Sequence, residues 1–389
     1  MQPPDPAKKA LTRVTCAQHV APLVRAEMES LGLEIQGEDH VGVYTGATLA
    51  ECMLLNLRLR TGLHVMWHLG RFRCPSPKAL YTHAAAFPWE TLIPNDGYFS
   101  VASNVENPKI DNSMYPNLVL KDAIVDRISK RTGARPDSGS DKSRLVIHLY
   151  WKGDRAWLYL NTTGKWLADR GYRRMPHLAP MRETLAAAVL LAVGYDGSTP
   201  LVNPMCGSGT LAIEAALIAT GRAPGLLRSN YSMLHTSWDI DTQWQAARRE
   251  AHKATSNDVR PIIVASDHDP RAIDAAKRNA QVAGVNHLID FRECDFAETP
   301  LPDMSGHIVM NPEYGERMGD VDALGPTYER IGDFFKQRCA GWEGHVFTGS
   351  RALAGRVGLR ASSRRPFMNA QLECRLLSYT MWEGEASRA

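Results

Sequence analysis

Aliphatic runs separated by polar turns lay out the chain. Between Leu11 and about Arg60, an apolar helix from Ala21 to Leu31, a strand around "HVGVYTG" and a helix through "ATLAECMLLNLRLR" predict a small α/β unit. From Val65 to about Thr163, strands at "LHVMWHLGRF", "GYFSVASN" and "RLVIHLYWKGDRAWLYLNTTG" alternate with helices at "SPKALYTHAAAF" and "LVLKDAIVDRISKRTG", and "ARPDSGSDKS" reads as a polar turn. A basic connector, "RGYRRMPHLAPMRETLAAAVLLAVG", then runs into an apolar helix from about Arg182. Beyond it the pattern changes. "PLVNPMCGSGTLAIEAALIA" and "PIIVASDHDPRAIDAAKRNAQVAG" each read as strand, turn and helix, while "HLIDFRECDF", "GHIVMNPEYGER" and "GHVFTGS" add strands. Such alternation predicts a parallel doubly wound sheet, with the antiparallel strands of "MNAQLECRLLSYTMWEG" closing its edge.

Length and composition bound this picture without changing it. A chain of 389 residues with 44% hydrophobic content can bury a large core and divide into two or three domains. Its seven cysteines (Cys16, Cys52, Cys74, Cys206, Cys294, Cys339 and Cys374) form no CxxC pair, which reads as reduced thiols in a cytoplasmic setting and argues against a metal site. "MQPPDPAKKALTRV" lacks the apolar core of a signal peptide, and no apolar run is long enough to span a bilayer, so no membrane partner is expected. Charge adds more. The net charge is +3, but residues 1–174 carry 23 basic and 17 acidic side chains against 22 and 25 in the remainder, so a front half near +6 precedes a back half near −3. That asymmetry suits an anion-binding module joined to a second activity.

The candidate chemistry gathers at the ends of the back-half strands. Gly207, Gly209 and Ala212 fit a G-x-G-x-x-A turn, which lets a ligand approach the backbone and the free amides of the following helix. A nicotinamide site would need an acid or arginine about 20 residues on. There the chain has the irregular "APGLLRSNYSMLH" instead, and the next strand ends only at Asp267. Asp267 can accept both hydroxyls of a ribose; Asp295, after the third strand, can accept from an adenine amino group with Phe296 against the ring. Either acid alone is equally well an N-cap or turn residue. Together with the glycine turn they describe an adenosine-bearing ligand such as S-adenosylmethionine.

In "HIVMNPEYGER" a buried strand stops at Asn311-Pro312, leaving an amide and the Tyr314 ring at the carboxyl edge where open α/β sheets keep their ligands. An exocyclic amine on a nucleobase is a poor nucleophile because its lone pair is delocalised into the ring. The Asn311 side-chain carbonyl and the Pro312 main-chain carbonyl can accept its two N–H bonds and aim the lone pair at a sulfonium methyl, while Tyr314 stacks on the flipped-out base.

The set "NPMCGSGT", "ASDHDP", "CDF" and "MNPEYGER", preceded by "RGYRRMPHLAPMRETLAAA", resembles the THUMP-containing RNA guanine-N2 methyltransferases, in particular the bacterial enzymes that modify 23S ribosomal RNA. "PWETLIP", "LKDAIVDRIS" and "DRAWLYLNTTG" extend the resemblance over nearly all the chain. It implies a ferredoxin-like domain at 1–64, a THUMP RNA-binding domain at 65–170, and a Rossmann-like class I methyltransferase domain at 171–389 with a mostly parallel seven-stranded sheet. It further implies a cofactor loop of Asn203, Pro204, Met205, Cys206, Gly207, Ser208, Gly209 and Thr210, with Asp267 and His268 at the ribose, Asp295 and Phe296 at the adenine, and Thr184 near the methionine end. Asn311, Pro312 and Tyr314 would hold the guanine, and the partner would be ribosomal RNA or its precursor. Two departures stand out: the family usually has aspartate where Asn203 stands and proline where Glu313 stands. A decayed, non-catalytic RNA-binding assembly factor and a DNA adenine-N6 methyltransferase therefore remain as competing readings.

Overall fold

Alternating burial along "LVIHLYWK" and its neighbours shows why the front half folds as a sheet: Leu145, Ile147, Leu149 and Trp151 point inward, while His148 and Tyr150 are only partly covered. The computed structural model describes residues 3–108, 110, 112, 114–175, 181–256, 258–315 and 318–382. Its strands are β1 (Ala10–Thr15), β2 (Ile35–Asp39), β3 (Gly42–Ala47), β4 (His64–Arg73), β5 (Tyr98–Glu106), β6 (Asp137–Gly139), β7 (Leu145–Lys152) and β8 (Arg155–Asn161), joined in one sheet of order β2-β3-β1-β4-β8-β7-β5-β6. The two modules expected at 1–64 and 65–170 thus share a sheet, because β4 pairs with β1 on one side and with β8 on the other. The expected polar turn contains β6, which pairs in parallel with β5 through Tyr98 and Asp137.

The chain divides into two units, one of residues 1–16, 24–169 and Arg228–His252, the other of 17–23, 170–227 and 253–389. The irregular stretch read after the glycine turn therefore belongs with the front sheet from Arg228 on. Ser232 Oγ accepts the N–H of Val146 at 2.8 Å, and the buried Arg228 guanidinium donates to the carbonyls of Thr163, Lys165 and Trp166 at 3.3, 3.1 and 2.8 Å. These bonds tie the stretch to the end of the front sheet.

In the second unit, β9 (Leu201–Pro204), β10 (Ile263–Asp267), β11 (Asp290–Glu293), β12 (His307–Met310), β13 (Glu343–Thr348), β14 (Ser363–Asn369) and β15 (Leu372–Thr380) form a sheet of order β11-β10-β9-β12-β13-β15-β14. The first five are mutually parallel; β15 runs antiparallel to β13 and β14 antiparallel to β15. This is the class I methyltransferase order, and strand order reverses between β9 and β12, the point at which doubly wound sheets open a crevice. Helices Glu183–Ala192, Thr210–Ala219, Pro270–Ala283 and Met318–Arg338 accompany it. Tyr328, Ile331, Phe334 and Phe335 of the last pack with Ile308, Met310 and Val346 of β12 and β13.

Inside this unit the connector is anchored by charge. The Arg170 guanidinium holds the Glu214 carboxylate in a two-pronged pair at 3.2 and 3.3 Å, both side chains essentially inaccessible, and the Tyr172 hydroxyl adds a bond to Glu214 at 3.1 Å. Burial, with the Glu214 and Glu183 carboxylates, pushes the Tyr172 phenol well above its usual pKa, so it stays a donor. Removing one member strands a buried charge. Glu214→Ala is expected to cost about 3–5 kcal/mol in denaturant unfolding, and an unchanged midpoint would show that the pair does not anchor the connector.

Candidate active site at the carboxyl edge

The site starts from the short ladder between β9 and β12. Only Leu201 with His307 and Val202 with Ile308 are paired; past them the strands part. The Asn203 side chain spans the opening, its Nδ2 donating to the Val309 carbonyl at 2.8 Å. Asn203 is fully buried and its Oδ1 has no partner among the described residues, and Asn311 Oδ1, just past β12, is likewise buried and without one among them. Two orphaned acceptors on adjacent strand ends call for donors from a ligand, since an unmet buried acceptor costs about 1–3 kcal/mol.

The glycine turn follows directly. Met205, Gly207 and Gly209 take positive φ values of 55°, 54° and 81°. A Cβ on Gly209 would come within 2.8 Å of Ala276 Cβ on helix Pro270–Ala283, so glycine there serves helix packing, whereas one on Gly207 would meet nothing, leaving open space beside the turn. The Gly207 amide donates to Asp267 Oδ2 at 3.0 Å and the Asp269 amide to Oδ1 at 3.0 Å. Asp267 is held rigidly, yet each oxygen keeps a second lone pair for a hydroxyl. His268 stands in solvent at 83% exposure, with Nδ1 3.6 Å from Asp267.

Asp295 accepts the Ala297 amide at 2.9 Å and an ion pair from Arg330 at 2.7 Å. Its partial burial favours the neutral acid, but these bonds and the Arg330 charge hold its carboxyl below the usual range. Phe296 is buried, with Phe334 against its edge and the Arg330 guanidinium 4.8 Å from its ring centre. The flat group beside Asp295 is therefore as much Arg330 as Phe296. Thr184 is buried at the start of helix Glu183–Ala192, where Arg173 pairs with Glu183 at 3.2 Å and donates to Thr210 Oγ1 at 3.3 Å. Burial, against the pull of Arg173, raises the Glu183 carboxyl to about 7. Pro312 is buried, Glu313 is exposed, and Tyr314 is half-buried with its hydroxyl accepting from Asn369 at 2.8 Å.

Sequence reading missed Asn279, Arg330 and Asn369. Asn279 accepts the amides of Arg174 and Met175 at 3.0 and 3.1 Å and donates to the Ser208 carbonyl at 3.1 Å, tying connector to glycine turn. Its own signal was an asparagine within an otherwise apolar helical face, "AIDAAKRNAQVA".

A family model described as the RMKL-like methyltransferase domain matches residues 170–378, and a THUMP domain model matches residues 76–161. The ribosomal RNA large subunit methyltransferase K/L of Syntrophotalea carbinolica is 35% identical over 383 residues, covering 95% of this chain and 53% of that protein. The chain spans about half the length of the curated relatives it matches. Among solved structures, SMU.472 complexed with SAH superposes with a TM-score of 0.87 at 26% identity, covering 97% of this chain and 100% of that one. A predicted N6-adenine-specific DNA methylase from Listeria monocytogenes superposes at 0.86 with 31% identity, covering 96% and 97%.

A carboxylate at position 203 could not donate to Val309. Asn203→Asp is therefore expected to lower stability by about 1–3 kcal/mol in chemical denaturation without added ligand. An unchanged stability would show that the amide is no strut.

Proposed function

The chain belongs to the RMKL-like methyltransferase family, and on that premise we propose that it transfers a methyl group from S-adenosylmethionine to the exocyclic N2 of a guanosine in RNA, with 23S ribosomal RNA as the substrate. The observation that carries this reading is the pair of buried, unpartnered carbonyl oxygens of Asn203 and Asn311 at the switch point. Asn203 Oδ1 would accept from the cofactor's ammonium group, and the open side of Gly207 would admit its chain, with Pro204, Met205, Cys206, Ser208, Thr210 and Thr184 around it. Asp267 would take the ribose hydroxyls, beside His268, and Asp295 the adenine amine, beside Phe296 and Arg330. When bound, the cofactor supplies an electrophilic methyl on a positively charged sulfur.

The rest is the chain's own. Asn311 Oδ1 and the Pro312 carbonyl accept the two N–H bonds of the guanine amine, turning its lone pair toward the methyl. Tyr314 carries the flipped base, and after transfer one amine proton leaves to water. Positioning and electrostatics suffice, with no covalent intermediate. The domains at 1–64 and 65–170 would supply RNA affinity through shape and phosphates, as the basic front half and the THUMP match support. The same Asn-Pro-x-aromatic edge could serve an adenine N6 amine, which is what the description of the Listeria neighbour invokes; the THUMP match favours RNA.

Calorimetry is expected to detect S-adenosylmethionine binding that Asp267→Ala weakens by about 1–3 kcal/mol. In single-turnover methylation of a 23S ribosomal RNA fragment, Asn311→Ala is expected to slow transfer by about 10²–10³ with cofactor affinity nearly unchanged. Binding of NADH in place of S-adenosylmethionine, or full activity in Asn311→Ala, would overturn the reading.

A further inference from the structure

Tyr314 is itself held by residues that no part of the proposed reaction uses. Its hydroxyl accepts from Asn369 Nδ2 at 2.8 Å, with Cys374 Sγ 4.0 Å away. Asn369 is the last residue of β14, and the turn to β15 passes through Ala370 at a φ of 55°. Against the ring lies Gly349, immediately after β13. A Cβ at that position would sit 3.0 and 3.1 Å from Tyr314 Cδ2 and Cε2, and 2.6 Å from Leu372 Cδ2 at the start of β15. The backbone φ at Gly349 is not in the left-handed region, so the space between the ring and Leu372, not conformation, is what demands glycine. One element thus fixes the tip of the tyrosine and another seats its ring.

A stacking platform must keep its plane. Errors of about 1 Å in placing a reacting group can cost on the order of 10² in rate, and besides packing against the core of this unit the Tyr314 ring meets Asn369 and Gly349. We infer that Asn369 and Gly349 are positioning residues that lock the Tyr314 ring as a platform for a purine extruded from its nucleic acid. The inference rests on the reading of Asn311 to Tyr314 as the base-holding turn. Asn369 acts through the phenol oxygen, Gly349 through the room it leaves, and neither touches the base. Because both lie on the β13 to β15 side of the sheet, away from the glycine turn on β9, their loss is felt in transfer and not in cofactor binding.

The test is a double-mutant cycle in single-turnover methylation of the RNA fragment by the full chain, with the affinity for S-adenosylhomocysteine measured for every variant as the check on folding. Tyr314→Phe and Asn369→Ala are each expected to slow transfer about tenfold, the rate equivalent of one lost hydrogen bond, and the double variant to be no slower than either. Gly349→Ala is expected to slow transfer at least as much while S-adenosylhomocysteine binds as in the wild type. Additive losses in the double variant, or Asn369→Ala at the wild-type rate while Tyr314→Ala is crippled, would overturn this inference alone. A fully active Tyr314→Ala, or a wild type that transfers no methyl group, would overturn the underlying reading and this inference with it.

Discussion

The bond from Asn203 Nδ2 to the Val309 carbonyl is the contact on which the geometry of the site turns. Parallel strands β9 and β12 exchange only two residue pairs before they diverge, and divergence leaves a main-chain carbonyl facing the gap. A side-chain amide meets that carbonyl and holds the crevice at one width. Its other atom, Oδ1, is left buried with nothing to accept from. The same residue thus sets the opening and supplies an acceptor to whatever enters it. An aspartate at this position could supply the acceptor but not the strut, so asparagine gives rigidity where a carboxylate would give charge.

From that gap the remaining groups follow by register. β10 lies beside β9 and delivers Asp267 level with the glycine turn, where the Gly207 amide fastens the two together. β11 brings the chain to Asp295 one strand further out. On the other side, β12 ends at Met310, and proline after Asn311 prevents the strand from continuing. Acidic groups therefore occupy one side of the switch point and the Asn-Pro-x-Tyr turn the other, the division of labour that a two-substrate transfer requires. Charge elsewhere is spent on anchorage: the buried Arg170 pair with Glu214 and the Arg173 bridge between Glu183 and Thr210 both tie the connector or its helix to the helix that leaves the glycine turn.

Most of this edge was legible in the sequence because each piece is local. A strand, a turn and a helix in succession carry their own periodicity, and "CGSGTLA", "ASDHDP" and "MNPEY" each declare a strand end within a few residues. What stayed illegible depends on partners far apart in the chain. Asn369 reaches Tyr314 across 55 residues, Asn203 reaches Val309 across 106, and Arg330 meets Asp295 across 35. No spacing rule links such positions. The front half shows the same limit on a larger scale: β3, β4 and β5 were anticipated, but β1, β2 and β6 were not, nor that β1 and β8 flank β4 in one sheet, because pairing between distant strands leaves no mark in local periodicity. "APGLLRSNYSMLH" looked irregular for a related reason, since Ser232 and Arg228 within it bond to Val146 and Thr163, far away in the sequence.

The central claim, that this edge methylates the N2 amine of a guanosine in ribosomal RNA, is tested most directly by mass spectrometry of nucleosides from 23S ribosomal RNA of cells with and without the gene. The account predicts the loss of one N2-methylguanosine on deletion and its return with the wild-type chain. Unchanged N2-methylguanosine, or a loss of N6-methyladenosine from DNA instead, would contradict it.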